Sequence, residues 1–390
     1  MPASILTETL IKSLLGVAGF FLVVFVLWDG FETIVFPRRV TRKLRLTRLF
    51  YHYTWLFWTG TVYRLSSEKR VETYLSFYGP LSLLFLLVVW ASGLIFGFAM
   101  LLSAFGASPG PVGSASVFGS NLYLSGTNFF TLGLGDVQPH TIIGRLLTVI
   151  EAGLGFGFLA LTIGYLPALN QSFAHREESI SMLDARAGSP PTALEMLRRH
   201  SHSDGLEELW DHLYTWERWS ADLLESHLSY PVLGFFRSQH DNESWISALT
   251  VILDVTSLMI TGLADTCKKQ AELTFAMARH AAVDLAIVFN VRPFMPEQDR
   301  LLPQDLERLR TVLAESGIQL QAGTEADQKL SELRLMYEPY LNALANYLRL
   351  DVPPWIPEAY HQDNWQTSPW AGIRVDQGDP AREEHKHRHF

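Results

Sequence analysis

The sequence predicts an all-α membrane protein that continues into a helical cytoplasmic domain. Residues 13–36, 74–105 and 141–169 are long apolar stretches, and at about 1.5 Å per residue each can cross a hydrocarbon layer of ~30 Å. Apolar residues make up 48% of the chain and charged residues 18%, which is an unusual balance for a soluble protein. From about residue 175 onward, apolar and aromatic residues recur at helical spacing among charged ones, as in a soluble helical bundle.

Bulk composition excludes several classes of function. The net charge of −9 argues against nucleic acid as a partner. Cys267 is the one cysteine, so no disulfide framework exists within the chain, and its bulk is expected to face a reducing compartment. The first apolar stretch is too long for a cleavable signal peptide and lacks a small-residue cleavage site. No nucleotide-binding glycine motif, zinc-type cysteine spacing or nucleophile elbow occurs, so we expect neither an enzyme nor a bound cofactor.

Residues 1–36 are predicted to form an N-terminal transmembrane helix with two acids near its end. Asp29 and Glu32 lie three residues apart and therefore on one helical face. We expect them to reach the interface and pair with the arginines that follow. The alternative is that they attract cations at an inner vestibule.

Residues 37–73 are predicted to form a basic linker on the cytoplasmic side, because positive charge concentrates in cytoplasmic loops. The threefold spacing of four of its arginines resembles a voltage-sensor helix, but a basic helix facing solvent or lipid headgroups fits the charge rule better. Residues 49–63 favour a helix lying in the membrane interface, with a further membrane segment over 39–63 left open. The basic residues are Arg38, Arg39, Arg42, Lys43, Arg45, Arg48, Arg64, Lys69 and Arg70.

Residues 131–136, here called the filter segment, read Thr-Leu-Gly-Leu-Gly-Asp. Glycine tolerates positive φ, so alternate residues can turn until successive carbonyls point the same way. Several copies around an axis would form stacked oxygen rings able to replace the water around K⁺. The hydroxyl of Thr131 would add an inner ring, and Asp136 would place negative charge at the outer mouth.

The filter segment resembles the Thr-Val-Gly-Tyr-Gly-Asp motif of potassium channels, with Leu132 in place of Val and Leu134 in place of Tyr. The resemblance covers residues 74–169, which is similar to the two-span pore domain of bacterial members: outer helix, pore helix, filter and inner helix. It implies a homotetramer in the cell inner membrane, in contact with lipid. K⁺ would be coordinated by Thr131, Leu132, Gly133 and Leu134, with Gly135 shaping the backbone.

Three departures from that motif leave the ion selectivity open. Leu134 cannot make the hydrogen bond by which the usual Tyr anchors the filter, and Tyr123 begins a pair that stands where a Trp pair is common. Thr127 replaces a buried Glu, and Phe130 stands where a second Thr is frequent. A non-selective cation pore is therefore an alternative. An alternative from another class is a membrane-anchored binding or signalling protein with a vestigial pore.

The helix predicted over 117–130 would direct its C-terminal partial negative charge at the pore axis. No charged residue occurs between Glu72 and Asp136, and residues 106–116 read as an extracellular loop. We expect the side chains of Ser125, Thr127 and Asn128 to bond to the back of the filter segment.

The inner helix predicted over 141–169 contains the candidate gating hinge. Gly153, Gly155 and Gly157 weaken its middle, although small-residue packing against a neighbouring helix explains them equally well. Pro167 is expected to bend or end the helix at the cytoplasmic mouth. Glu151 is the one acid there and needs a partner or water.

The cytoplasmic helical domain is predicted over 170–350, with helices at 205–227, 303–316 and 325–350 and one or two helices over 243–289. Residues 245–264 are apolar enough to span a membrane, but Asp254 at their centre favours a buried bundle helix. The tail, 351–390, has no periodicity and is predicted to be loop or disorder. The sequence leaves open whether this domain binds a cytoplasmic regulator, and does not identify one. Histidines that suggest a metal or pH site are His200, His202, His385, His387 and His389.

Overall fold

The computed structural model describes residues 3–36, 45–106, 116–202, 205–239, 242–262, 268–357 and 363–366, and every regular element in these ranges is helical. Helices α1, α4 and α6 are long and apolar enough to cross a membrane. The first six helices are α1 (Ala3–Gly30), α2 (Leu46–Leu65), α3 (Glu68–Ser76), α4 (Tyr78–Phe105), α5 (Val117–Phe129) and α6 (Ile142–Ala187).

Helices α1 and α4 pack along each other through glycines. A Cβ atom added to Gly19 would lie 2.7 Å from the carbonyl oxygen of Gly97, and one added to Gly97 would lie 2.6 Å from Cγ2 of Val23. Small residues allow this close backbone approach. In lipid the hydrophobic effect does not favour helix association, so the van der Waals packing of such close contacts stabilises it instead.

Of the two acids at the end of α1, Glu32 pairs with a following arginine as predicted and Asp29 does not. A π-helical turn, Phe31–Val35, follows α1, and the carboxylate of Glu32 lies 3.6 Å from Nε of Arg45. Asp29 is buried instead, and its Oδ2 accepts hydrogen bonds from the Thr47 hydroxyl at 2.6 Å and the Trp90 indole at 2.9 Å. The expected pairing with arginine is therefore wrong for Asp29, because neutral donors on α2 and α4 reach the carboxylate. Residues 37–44 lie outside the described part of the chain.

Helix α2 joins the spanning helices to the C-terminal bundle. Trp55 is 2% exposed and donates its indole N–H to the carbonyl of Tyr347 at 2.8 Å. Its ring also packs against Tyr78 at the start of α4 and against Phe235, with centroid distances of 4.7 and 5.2 Å. The aromatic residues that suggested an interfacial helix thus contact protein on this face.

Helix α6 is much longer than predicted, and Pro167 lies inside it. A proline within a helix removes one hydrogen bond and costs about 3 kcal/mol. Packing on both sides offsets that cost, since Tyr165 and Leu169 are buried against Val232 and Phe236. Pro167 therefore does not end the helix, which continues to Ala187.

The remaining helices form a bundle around α9, where all residues except Thr261 are buried. Asp254 at its centre accepts from Arg300 at 2.7 Å and from the hydroxyl of Tyr337 at 2.6 Å, so the buried-helix prediction is confirmed. The predicted helix over 325–350 divides in two at Tyr337. These helices are α7 (Ala193–Arg199), α8 (Gly205–Ser229), α9 (Trp245–Gly262), α10 (Lys268–Val288), α11 (Pro303–Glu315), α12 (Thr324–Leu335) and α13 (Glu338–Leu348).

The start of the tail, residues 351–357 and 363–366, is largely loop as predicted, but it is packed against the bundle rather than disordered. Trp355 is fully buried, with the guanidinium groups of Arg300 and Arg334 each 5.7 Å from its ring. Asp363 accepts from Arg199 at 2.8 Å. The terminal histidines lie outside the described residues. Among those described, no three His, Cys, Asp or Glu side chains group as a metal site, and His200 is buried near Arg186.

Candidate functional site

Helix α5 is a short helix with a defined start and a tight exit. The hydroxyl of Ser116 accepts from the Gly119 N–H at 3.1 Å and caps the N-terminus, as serine commonly does. At the other end, the Leu132 N–H donates to the carbonyl of Thr127 at 2.8 Å, and the Thr131 N–H donates to Asn128 at 2.9 Å. These bonds fold the filter segment back from the C-terminal end of α5, where the helix dipole favours a cation.

The filter segment alternates in backbone handedness. Thr131, Gly133 and Gly135 have φ of +56°, +57° and +77°, whereas the residues between them do not have positive φ. Because the sign of φ alternates, successive peptide planes can be oriented so that their carbonyl groups all face the same side. Positive φ is uncommon for a β-branched residue such as Thr131. Together with the two glycines, it gives positive φ at every second residue from 131 to 135.

The carbonyls of residues 131–134 accept no hydrogen bond from any described residue, whereas the Gly135 carbonyl accepts from the Gln138 amide at 3.2 Å. Backbone oxygens at membrane depth require a partner, and irregular backbone is tolerated there where it lines a cavity. An array of such oxygens is suited to cation coordination.

Asp136 is tied to α5 by a contact that sequence reasoning missed. Its Oδ2 accepts from the hydroxyl of Tyr123 at 3.0 Å, and its Oδ1 accepts from the Val137 N–H at 3.1 Å. Leu134 provides no such tie, because its apolar side chain is 61% exposed. The sequence offered one signal for this contact: Leu134 replaces the tyrosine of the motif, while a tyrosine, Tyr123, occurs in α5.

The side chains expected behind the filter segment bond elsewhere. The hydroxyl of Thr127 donates to the Leu124 carbonyl at 2.9 Å within α5. The hydroxyl of Ser125 lies 2.7 Å from the carbonyl oxygen of Ile95 and also contacts the carboxyl group of Glu151. The Asn128 amide nitrogen is buried with no described hydrogen-bond partner. The expected side-chain bonds from Ser125, Thr127 and Asn128 to the filter segment are therefore wrong, and the backbone of α5 holds that segment instead.

The glycines of α6 differ in their surroundings. A Cβ on Gly155 would lie 1.9 Å from the carbonyl oxygen of Phe129, so this position allows α6 to touch the end of α5. A Cβ on Gly153 or Gly157 would meet nothing within 4 Å. Packing thus explains Gly155, whereas a hinge at Gly153, Gly157 and Pro167 stays a prediction.

Much of the apolar surface of α6 is left uncovered by the described part of the chain. Only 11% of the residues in the most apolar part of α6 are buried, compared with 50% in the apolar stretch that includes α4. Lipid or further protein must cover this surface in a membrane. The exposed residues include Ile142, Leu146, Val149, Phe156, Leu159 and Ile163.

Residues 84–171 match the family model described as "Ion channel", a segment that includes most of α4, all of α5 and the first part of α6. The described residues thus form an all-α membrane fold in which residues 84–171 are similar to an ion channel. The chain is also 26% identical over 197 residues to the "Uncharacterized membrane protein YdjJ" of Bacillus subtilis (strain 168). That alignment covers 49% of this chain and 56% of the relative, so the chain spans little more than half of it. No solved structure matches the chain significantly.

Proposed function

We propose that the protein is a homotetrameric potassium channel of the inner membrane, with the C-terminal bundle on the cytoplasmic side. The observation that carries this proposal is the alternation of positive φ at Thr131, Gly133 and Gly135. That backbone lets consecutive carbonyls face one axis, and it follows the C-terminal end of a short helix. No described residue supplies another use for those oxygens.

Several copies are needed because one chain carries one filter segment. A single strand offers at most one oxygen per level, whereas a dehydrated cation needs a ring of them. The uncovered surface of α6 supports the same assembly, since neighbouring subunits would bury part of it.

Each filter residue has an assigned role in passive, selective diffusion. Thr131 coordinates K⁺ through its hydroxyl and carbonyl, and Leu132, Gly133 and Leu134 do so through their carbonyls. Gly135 provides the last left-handed turn of the backbone. Asp136, held by Tyr123, raises the cation concentration at the outer mouth.

The selectivity we propose is for K⁺ over Na⁺. The tie between Tyr123 and Asp136 supports it, because it restrains the outer end of the filter segment where Leu134 cannot. A non-selective cation pore is the second candidate, favoured by the missing hydroxyl at Leu134. If selectivity depends on the number and rigidity of oxygens, a filter that widens would admit Na⁺.

Gating is assigned to α6, which runs from the filter into the bundle without a break. We propose that it bends near Gly153 and Gly157 or at Pro167, with the bundle supplying the force in response to a cytoplasmic regulator. The length of α6 supports this, because the same helix contacts α5 at Gly155 and the bundle beyond Leu169.

The test is a reversal-potential measurement on the purified chain in planar bilayers under opposed K⁺ and Na⁺ gradients. We expect a current that reverses near the K⁺ equilibrium potential. The Gly133→Ala variant is expected to assemble but lose K⁺ flux, because alanine is strained at φ of +57°. Gly60→Ala is the matched control, since Gly60 is helical with nothing within 4 Å of its Cβ position.

Other outcomes point to different proteins. A reversal potential between the two equilibrium values would support the non-selective pore. Absence of current in the wild type, together with a ligand bound by the C-terminal bundle, would support a receptor with a vestigial pore and overturn the proposal.

A further inference from the structure

Glu151 is a buried acid on the face of α6 that packs against α5. Its side chain is fully buried although most of the surrounding helix is exposed. The two other helices at this point, α4 and α5, contain no charged residue. On α6 itself, the nearest cation is Arg145, whose Nε lies 3.5 Å from the carbonyl of Pro139. No described cation pairs with Glu151.

The hydrogen bonds around Ser125 require a proton on Glu151. The Ser125 hydroxyl has one hydrogen but lies 2.7 Å from the carbonyl oxygen of Ile95 and also in contact with Oε1 of Glu151. A carbonyl only accepts, and an ionised carboxylate only accepts, so one hydrogen cannot serve both well. A protonated Glu151 resolves the conflict, because it donates to Ser125 while Ser125 donates to Ile95.

The second carboxyl oxygen supports the same protonation state. Oε2 of Glu151 is buried with no described partner within hydrogen-bond distance, and the neighbouring amide nitrogen of Asn128 is likewise buried without one. An ionised carboxylate with a single hydrogen bond at membrane depth is costly, whereas a neutral acid tolerates an unpaired carbonyl oxygen far better.

We infer that Glu151 is held as a neutral carboxylic acid and acts as a positioning residue for the pore. It donates to Ser125, which donates to Ile95, so a relay of two hydrogen bonds joins α6, α5 and α4. One turn further along α6, Gly155 lies against the carbonyl of Phe129. The pair of contacts fixes α5 and the filter segment to the inner helix, and any movement of α6 acts on both.

Difference infrared spectroscopy tests the protonation state without any ion flux. At neutral pH exposed carboxyl groups are ionised, so the spectrum of the wild type minus Glu151→Gln should show a carboxylic-acid C=O band. Wild type minus Glu178→Gln, a change of an exposed acid further along α6, should show none. Absence of the band from the first difference spectrum would overturn the inference.

The positioning role is tested by K⁺ uptake into vesicles of phosphatidylethanolamine and phosphatidylglycerol, and this part rests on the proposed function. Glu151→Gln keeps a donor, and we expect it to conduct like the wild type. Glu151→Ala and Ser125→Ala should each reduce flux about tenfold, as expected when a buried hydrogen bond that favours the conducting state is lost. The double variant should be no worse than either single change, because both remove the same contact.

Two results would contradict this role: a loss in Glu151→Gln equal to that in Glu151→Ala, or additive losses in the double variant. If the wild type itself does not conduct, the proposed function fails instead. In that case the infrared band, and the same non-additivity measured on heat resistance of the assembled protein, still decide the inference.

Discussion

Replacing Gly155 by alanine tests the packing of the inner helix on α5. The added Cβ would lie 1.9 Å from the Phe129 carbonyl oxygen and 2.7 Å from its carbon, far inside any allowed contact. These are backbone atoms at the end of α5, so no side chain can rotate to make room, and the two helices must separate.

The magnitude follows from two opposing terms. Overpacking that shifts backbone costs about 3 kcal/mol at the upper end of its usual range. Alanine recovers about 1 kcal/mol of helix propensity relative to glycine. The net cost is about 2 kcal/mol, which corresponds to a factor of about 30 in the equilibrium between packed and separated helices.

The assay is heat resistance of the detergent-solubilised assembly, followed by size-exclusion chromatography with light scattering. Gly153→Ala and Gly157→Ala are matched controls on the same helix, because their Cβ positions are open within the chain. We expect Gly155→Ala to dissociate at a lower temperature than the wild type and both controls to be unchanged or more resistant. Wild-type resistance in Gly155→Ala would refute the contact. Reduced flux in the controls despite intact assembly would support a hinge.

Three further predictions concern other contacts. Tyr123→Phe removes the hydroxyl that holds Asp136, and we expect a lower ratio of K⁺ to Na⁺ permeability from reversal potentials; an unchanged ratio would show that this tie does not restrain the filter. Asp254→Ala removes the buried carboxylate that accepts from Arg300 and Tyr337, while Arg300 keeps its ion pair with buried Glu338, so the free energy of unfolding of the bundle should fall by about 1–3 kcal/mol in urea titrations, with Asp254→Asn milder. Burial raises the pKa of Glu243 to about 7 from an ordinary value of 4.5, so the folded state holds this proton longer than the unfolded state. Stability should therefore fall as pH rises from about 4.5 to about 7, and Glu243→Gln should flatten that fall in thermal scans at several pH values.

The sequence predicts those parts of the fold that are determined by residues close together in the chain. Helix α5 lies within one residue of the predicted 117–130, and its start is a local signal because the Ser116 hydroxyl caps it. Asp254 identified a buried bundle helix correctly because an isolated charge excludes lipid as the surroundings. Pro167 misled because the packing that offsets its cost comes from residues more than sixty positions away.

The candidate site was predicted in part for the same reason. Gly133 and Gly135 indicate positive φ by their residue type, but nothing local to Thr131 does, since its conformation depends on the exit from α5. The partners of Ser125 and Glu151 lie on separate helices and become visible only in three dimensions. A polar residue in an apolar helix predicts that a partner exists, without naming it.

Helix α6 continues unbroken into the bundle, which supports the proposed action of the bundle on the filter segment. Arg176, buried on the extension of this helix beyond Pro167, donates to the carbonyls of Leu233 and Phe236 at 2.9 Å each. The ring of Phe236 in turn packs closely on Gly79 at the start of α4, where an added Cβ atom would lie 2.6 Å from Cδ2 of that ring. A displacement of the bundle is therefore resisted by two spanning helices at once. Relative motion between α4 and α6 must then strain the contacts at Ser125, because that hydroxyl bonds to both helices.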